Sequence, residues 1–217
     1  MKFLVSLVVL FASAASAADY TPTRQYVHPV IITTSYTLPH RVVGSGSAVM
    51  VAPGYALTAA HVVPLTDEYK MVIQTNLRQV AAIPVKIDRT KDLALLAVDL
   101  KCPCAPKATK LPSIDEQVVN VGFPLYGIYR IQLATQGTIQ GFYSNAVVTT
   151  AATAPGGSGG GLFAKEGDAY RLVGITVAIA SAPVGPRMMS IEQEYNWLAF
   201  GVPIGTIRKF LHNTPAQ

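Results

Sequence analysis

Short runs of apolar and β-branched residues, separated by glycine and proline, recur along most of the chain. Runs of this length favour β-strands over helices. A first set of predicted strands covers residues 27–34, 47–51, 71–74, 80–87 and 93–99. A second set covers residues 117–121, 131–141, 147–151, 170–179 and 198–203. The pattern therefore predicts an all-β chain, built as a sandwich or a barrel.

A segment of different composition, residues 101–112, separates the two sets. It contains Pro103, Pro106 and Pro112 together with three lysines, which is typical of an exposed connector rather than a strand. We therefore expect two β-units, at residues 18–105 and 106–217.

The end of the chain has a different period. Apolar residues recur at helical spacing after Pro203, at Ile204, Ile207, Phe210 and Leu211. This spacing predicts one short amphipathic helix that caps the second unit. Residues 183–196 show no clear period and are interpreted as a surface loop, with Met188, Met189 and Trp197 as candidates to line a groove.

The N-terminus has the features of an export signal. Met1 and Lys2 precede the apolar residues 3–11, and small residues then end in Ala15-Ser16-Ala17. We expect a signal peptide at residues 1–17. The alternative is a retained membrane anchor, which needs about 20 apolar residues, but serines interrupt this run. We therefore expect an exported protein, periplasmic or secreted, without stable membrane insertion after signal cleavage.

Composition argues against several other classes of protein. The 217 residues carry a net charge of +5 at pH 7, and the basic residues are dispersed, so no nucleic-acid partner is expected. The two cysteines, Cys102 and Cys104, cannot form a disulfide scaffold, and a bond closing so short a loop would be strained. No further ligands stand at the spacing of a metal site. We interpret the cysteines as a local loop clamp or as free thiols, and we expect no metal.

A serine held among glycines is the strongest chemical signal. It occurs in the segment Gly156-Gly157-Ser158-Gly159-Gly160. Glycines permit a tight turn with exposed amides, and acyl transfer needs such donors where the oxyanion develops. The N–H groups of Gly156 and Ser158 are the candidate oxyanion hole. A flexible Gly/Ser loop is the alternative interpretation.

A serine nucleophile needs a base within hydrogen-bond reach. His28 and His40 each neighbour a proline, and His212 falls at the end of the predicted helix, whereas His61 follows an apolar strand and two small residues. His61 is therefore the candidate base, with a structural histidine as the alternative.

The base in turn needs an acid that orients it. Asp92 stands directly before the apolar residues 93–98 and is the best candidate. Asp88 and Asp99 bracket the same region and remain possible alternatives.

Three motifs thus follow one another in the order histidine, aspartate, serine. They are Thr58-Ala59-Ala60-His61, Asp92-Leu93-Ala94-Leu95 and Gly156-Gly157-Ser158-Gly159-Gly160. This is the chymotrypsin order. Over roughly residues 25–212 the chain resembles the trypsin-like serine proteases, in particular the HtrA-type bacterial envelope proteases. The resemblance implies two six-stranded antiparallel β-barrels with the active site in the cleft between them, His61 and Asp92 in the first and Ser158 in the second.

The resemblance also implies a specificity pocket. Ala152 stands six residues before the serine, where relatives selective for Lys or Arg place an acid, and Thr153 is beside it. Thr176, Val177 and Ala178 correspond to the opposite wall. A small uncharged pocket predicts cleavage after small or medium aliphatic residues.

The chain departs from the family in two places. Gly157 stands where many trypsin relatives carry an aspartate that pairs with a newly freed N-terminus, so activation by propeptide cleavage is not expected. The chain also ends soon after its predicted helix, so the PDZ domains that HtrA proteins usually append are not expected either.

Together these features predict a serine endopeptidase that acts on protein or peptide substrates and requires no cofactor. The alternative is a catalytically silent module that binds peptides or a partner in the same cleft, because a fold does not guarantee a function. An esterase that uses the same machinery is a third hypothesis.

Overall fold

The structure is a computed structural model, and it describes residues 19–35, 41–184 and 191–217. For residues 181–184 and 191–197 it describes the strand path but not the side chains. The expected signal peptide, His40, Met188 and Met189 lie outside the described residues, as does the side chain of Trp197.

The first six strands form a closed antiparallel barrel. They are β1 Val27–Thr34, β2 Val42–Ala52, β3 Tyr55–Thr58, β4 Tyr69–Gln74, β5 Gln79–Asp88 and β6 Leu93–Val98. The hydrogen-bonded order is β1-β2-β3-β6-β5-β4, and pairing of β1 with β4 closes the barrel. Val30, Met50 and Ile73 are fully buried and belong to one apolar cluster. Apolar side chains from different strands therefore fill the barrel interior.

The second barrel repeats this architecture. Its strands are β7 Gln117–Gly122, β8 Leu133–Tyr143, β9 Ala146–Thr149, β10 Gly161–Glu166, β11 Ala169–Val184 and β12 Ile191–Pro203. Their order is β10-β11-β12-β9-β8-β7, and β10 pairs with β7 to close the ring. Two closed six-stranded antiparallel barrels confirm the predicted fold class.

Two α-helices complete the described chain. The short α1, Tyr126–Tyr129, lies in the loop between β7 and β8, and α2, Ile204–Leu211, follows β12. As the helical spacing predicted, α2 buries Ile204, Ile207, Phe210 and Leu211. Lys86 of β5 donates to the carbonyl of Phe210 at 2.6 Å, which ties the end of α2 to the first barrel. No helix among the described residues is long and apolar enough to cross a membrane.

One apolar cluster spans both barrels, in addition to a further cluster in each barrel. Val49 and Leu95 of the first barrel belong to the same buried cluster as Phe163 and Ile175 of the second. Burial of this area holds the barrels in a fixed relation, so residues contributed by the two barrels can form one site.

The structure corrects two expectations about loops. The segment 183–196 is not a surface loop where it is described, because β11 and β12 stay paired as far as Val184 and Ile191. The connector after β6 is also less exposed than expected. Its Ala105 and Ala108 are buried, and their N–H groups donate to Met50 of the first barrel and Leu172 of the second.

Candidate active site

His61 lies in a single 3₁₀ turn, Ala60–Val62, directly after β3. The small residues Ala59 and Ala60 are buried, and Arg89 donates to the carbonyl of Ala60 at 2.9 Å. These contacts fix the turn. Half of the His61 side chain is exposed, so the ring is accessible from solvent.

Asp92 holds His61 through both carboxylate oxygens. Oδ1 accepts the backbone N–H of His61 at 2.9 Å, and Oδ2 lies 2.8 Å from His61 Nδ1. Asp92 has a φ of +53° directly before β6, a conformation that costs a non-glycine residue about 1 kcal/mol or more. The paired contacts offset this cost. They also leave His61 Nε2 as the ring nitrogen available to a nucleophile.

The two alternative acids do not contact His61. Asp88 accepts from Lys91 Nζ at 2.5 Å, and the exposed Asp99 lies 4.0 Å from Arg78. Among the three candidates from the sequence, Asp92 alone is placed to orient the histidine.

The charge state of Asp92 follows from the same contacts. Burial acts to raise the pKa of the Asp92 carboxyl. Hydrogen bonds from the ring and backbone of His61, together with the charge of that ring, lower this pKa, and their combined effect is larger than that of burial. The pKa therefore lies below its ordinary value. The carboxylate is ionised at neutral pH and can stabilise a protonated imidazole.

Ser158 reaches this region because its loop packs against β2. A Cβ atom on Gly46 would lie 2.7 Å from Val62 and 3.3 Å from the carbonyl oxygen of Ser158. Glycine thus lets the serine loop and the histidine turn approach from either side. Ser47 fixes the loop, since its N–H donates to the Ser158 carbonyl at 2.8 Å and its hydroxyl donates to the Gly156 carbonyl at 3.0 Å.

The turn around the serine exposes two amides. Gly156 and Gly159 have φ values of +90° and +86°, which lie in the region that favours glycine. The neighbouring N–H groups are used, since Gly157 donates to Ala154 at 2.8 Å and Gly160 donates to Gly157 at 2.9 Å. The N–H groups of Gly156 and Ser158, by contrast, meet no acceptor among the described residues. Both amides are therefore free to donate to an acceptor from outside the described residues.

The hydroxyl of Ser158 is not bonded to His61. Its Oγ lies 3.5 Å from the carbonyl oxygen of Val177 on β11, and the contacts of the described residues include no hydrogen bond between Oγ and the imidazole. Catalytic hydrogen bonds are often long without substrate and tighten in the complex. His61 is therefore bonded directly to Asp92, whereas Ser158 is positioned by the backbone contacts of its loop.

Comparison with known proteins identifies the family of the chain. A family model described as the trypsin-like peptidase domain matches residues 46–175, which is more than half of the 217 residues. The chain belongs to the trypsin-like peptidase domain family. The matched span includes His61, Asp92 and Ser158.

One curated relative and one solved structure extend the comparison. The chain is 31% identical over 157 residues to a probable periplasmic serine protease do/HhoA-like of Haemophilus influenzae, and the match covers 67% of the chain. It spans about a third of that relative, 32% of its length. The crystal structure of the serine endoprotease from Yersinia pestis matches with a TM-score of 0.66 and 25% identity, covering 86% of this chain and 61% of that one.

The five predicted pocket residues do not line one cavity in the trypsin-like domain. Ala152 and Thr153 line a mostly apolar cavity of about 190 Å³, together with Asn120 and Leu133. Thr176 is fully buried, and its hydroxyl donates to Asn120 Oδ1 at 3.0 Å.

The remaining two pocket residues lie on β11 beside the serine. Val177 is half-buried and Ala178 is exposed, and neither lines that cavity. The Val177 carbonyl contacts Ser158 Oγ, so this strand borders the nucleophile.

Sequence reasoning missed two buried polar residues that support the site. Asn120 donates to the carbonyl of Ala151 at 3.3 Å and accepts from Thr176, so it braces the segment that leads to the serine. Ser47 accepts the N–H of Phe123 at 2.9 Å and donates to Gly156. A polar residue inside an apolar strand was the available signal, since buried polar groups are almost always bonded.

The space around Gly157 also disfavours an aspartate there, which is the residue that forms the N-terminal activation salt bridge in many trypsin relatives. A Cβ atom on Gly157 would overlap Thr153 Oγ1 and would lie 3.0 Å from the carbonyl of Ala154. An aspartate at this position would therefore displace the turn that exposes the amides.

The cysteines lie outside this site as unpaired thiols. Burial, and to a lesser extent Cys104, raise the pKa of Cys102 to about 11. Its Sγ lies 3.6 Å from Nε2 of His28, whose pKa is lowered by burial. No group of three or more metal-ligating side chains occurs within the part of the chain that the structure describes.

Replacing Gly159 with alanine should destabilise the fold and remove activity. Its Cβ would overlap the carbonyl oxygen of Ser47 and Thr58 Oγ1, and its φ of +86° is unfavourable for alanine. We expect the free energy of unfolding to fall by about 2–5 kcal/mol. Gly167→Ala is the matched control, because Gly167 has a φ of +66° with nothing near its Cβ position. Equal losses in urea unfolding of both variants would contradict the overlap argument.

Proposed function

We propose that this protein is an exported serine endopeptidase that hydrolyses peptide bonds with His61, Asp92 and Ser158. One observation carries the proposal. The Asp92-oriented His61 stands beside a serine loop in which the Gly156 and Ser158 amides are free to donate. A base, a nucleophile and an oxyanion site are the parts that acyl transfer needs.

The proposed reaction proceeds in two halves. Ser158 Oγ attacks the carbonyl carbon of the scissile bond while His61 Nε2 takes the hydroxyl proton, and the Gly156 and Ser158 amides donate to the oxyanion. The C–N bond then breaks as His61 returns the proton to the leaving amine. Water attacks the acyl-enzyme in the same way, so that Ser158 regains its proton and the carboxylic acid leaves. No cofactor enters these steps.

The first step requires a small movement of the nucleophile. Ser158 Oγ must leave the carbonyl of Val177, 3.5 Å away, and turn towards His61. Rotation about the Cα–Cβ bond of serine connects staggered rotamers without any backbone change. Substrate occupying the cleft would favour the productive rotamer.

Covalent labelling tests this proposal. Fluorophosphonate should modify the folded protein on Ser158 alone, as located by mass spectrometry, and heat-denatured protein should stay unlabelled because the imidazole no longer activates the hydroxyl. Labelling of several serines, or of denatured protein to the same extent, would contradict an activated nucleophile.

The pH dependence of hydrolysis should report a histidine base. Because the pKa of Asp92 is lowered, that carboxylate stays ionised in mild acid, so a loss of rate there does not come from Asp92. We expect kcat/KM to fall about tenfold per pH unit well below neutrality. The measurement is a pH profile with circular dichroism to verify folding. A rate that is constant down to about pH 4 would rule out a histidine base.

We further propose a preference for small or medium aliphatic residues before the scissile bond. The support is that Ala152 and Thr153 line a mostly apolar cavity and that Val177 and Ala178, on β11 beside the serine, are uncharged. A peptide library profiled by mass spectrometry should show cleavage after residues such as Ala and Val. Efficient cleavage only after Arg or Lys would refute this preference.

The second candidate function is a peptide-binding module without turnover. The separation of Ser158 Oγ from His61 favours it, because a hydroxyl bonded only to Val177 is not activated. Saturable peptide binding by a protein that neither labels nor hydrolyses would support it. Export, to the periplasm or the medium, remains part of our proposal in either case, because the N-terminus reads as a signal and the Haemophilus relative is described as periplasmic.

A further inference from the structure

A large groove lies between the barrels, separate from the catalytic side chains. Its volume is about 1360 Å³. The first barrel contributes residues 24–31, the turn at 74–79 and the segment 99–102, and the second barrel contributes residues of the α1 loop between 123 and 132. Neither His61, Asp92 nor Ser158 lines it.

The groove is rich in positive charge. Arg24, Arg78, Lys101 and Arg130 line it, against a single carboxylate, Asp99. Asp99 lies 4.0 Å from Arg78. Within the described ranges no carboxylate pairs with the other three cations. Concave walls of one sign concentrate the electrostatic potential, so the groove should attract anionic groups.

The floor of the groove is preformed by bonds between the barrels. Arg24 Nη1 donates to the carbonyl of Gln132 at 3.1 Å, and Gln132 Nε2 donates back to the carbonyls of Arg24 and Val27 at 2.8 and 3.0 Å. A binding surface held in this way loses little entropy when a ligand arrives.

The size and lining of the groove favour a peptide over a small anion. Apolar side chains, among them Ile31, Leu100 and Phe123, line the groove together with the cations. A single phosphate or sulfate would fill a small part of the volume and contact none of the apolar surface. An extended peptide that carries Asp or Glu among apolar residues would contact both the cations and the apolar side chains.

The groove also adjoins the proposed oxyanion loop. Phe123 donates its N–H to Ser47 Oγ, which donates to the carbonyl of Gly156. Leu125 donates to the carbonyl of Pro155 at 2.7 Å. One wall therefore begins at the loop that carries the free amides, and a polypeptide in the catalytic cleft can extend into the groove.

We propose that this groove binds an acidic segment of the polypeptide substrate, at a distance from the scissile bond. The inference rests on the proposed peptidase function. It adds a determinant of substrate choice that the pocket beside Ser158 does not supply.

The kinetic test uses two fluorogenic peptides with one cleavable core. Each carries a Gly-Ser spacer and an extension, Asp/Glu in one and Asn/Gln in the other, placed in turn at either end. In low salt we expect a higher kcat/KM for the acidic peptide, by about tenfold, and this advantage should disappear in high salt.

Substitutions locate the effect. The ratio of acidic to neutral kcat/KM should fall about two- to fivefold for each of Lys101→Gln and Arg130→Gln. Lys209→Gln removes the same charge from an exposed position of α2 outside the groove and should keep the wild-type ratio. A ratio that is equal in all three variants would overturn the proposal.

A binding measurement separates failure of the groove from failure of catalysis. Fluorescence anisotropy of the labelled acidic extension is recorded with Ser158→Ala protein, alone and combined with Lys101→Gln and Arg130→Gln. Weaker binding in the combined variant supports the groove even if no peptide is hydrolysed. Equal binding of the acidic and amide extensions, or binding of a labelled oligonucleotide but not of the acidic peptide, would overturn it.

Discussion

Replacement of Ser158 by alanine should lower kcat for peptide hydrolysis by about 10⁶-fold, because the nucleophile is lost and only substrate binding and the oxyanion amides remain. The fold should be unaffected, since the hydroxyl makes one long contact, 3.5 Å to the Val177 carbonyl. Steady-state kinetics on a peptide substrate measure the loss of kcat, and thermal unfolding measures the stability of the fold.

The control for this prediction is Ser113→Ala. Ser113 is exposed in the segment between β6 and β7, so the same chemical change there should leave kcat within about twofold of wild type. If Ser158→Ala protein retained hydrolysis well above the uncatalysed rate with a second serine labelled by fluorophosphonate, the nucleophile would have to be reassigned.

Replacement of Asp92 by asparagine should lower kcat by about 10⁴-fold. The asparagine amide can present an N–H to His61 Nδ1, which would fix the wrong tautomer and leave no base at Nε2. It also removes the negative charge that stabilises the protonated ring. We expect KM to change little, because Asp92 contacts His61 and not the substrate.

Asp99→Asn is the matched control, and it tests an alternative that the sequence left open. Its side chain is 91% exposed and lies near Arg78 rather than His61. The ratio of the two kcat values should therefore be large. Equal losses in both variants would show that the effect arises from net charge and not from orientation of the imidazole.

The barrels were largely predictable from the sequence because most strands are short apolar and β-branched runs that end at turn residues. β1 and β6 show this clearly, with bounds within one residue of the predicted ones, and β6 is buried at five of its six positions. The strand β10 was missed because it follows directly from the glycine-rich serine loop, and the glycines conceal its alternation. The β11–β12 hairpin was missed because prolines and charged residues interrupt the apolar pattern.

The candidate site was predictable as residue types but not as distances. Thirty-one positions separate His61 from Asp92, and only the resemblance to a family and the folded chain bring them together. The sequence favoured Asp92 as the acid but left Asp88 and Asp99 open as alternatives. In the structure Asp92 bonds to His61, whereas Asp88 bonds to Lys91.

The basic groove could not have been found in the sequence. Arg24, Arg78, Lys101 and Arg130 are far apart along the chain, and each is read as an ordinary solvated residue. The topology brings the β4–β5 turn and the α1 loop to the same groove, so that their positive charges strengthen one electrostatic potential. Electrostatic surfaces of this kind depend on the arrangement of the loops rather than on any local motif.

The closure of both barrels bears on how the proposed peptidase would resist self-digestion. In a concentrated preparation, every peptidase molecule meets others that could serve as substrate, and cleavage requires a stretch of backbone that can be drawn into the catalytic cleft. Every described strand of the two rings is hydrogen-bonded on both sides, so these extended segments are not free to pair with a catalytic cleft. Self-digestion would then be confined to the loops and termini, and it would proceed at the rate at which those segments open.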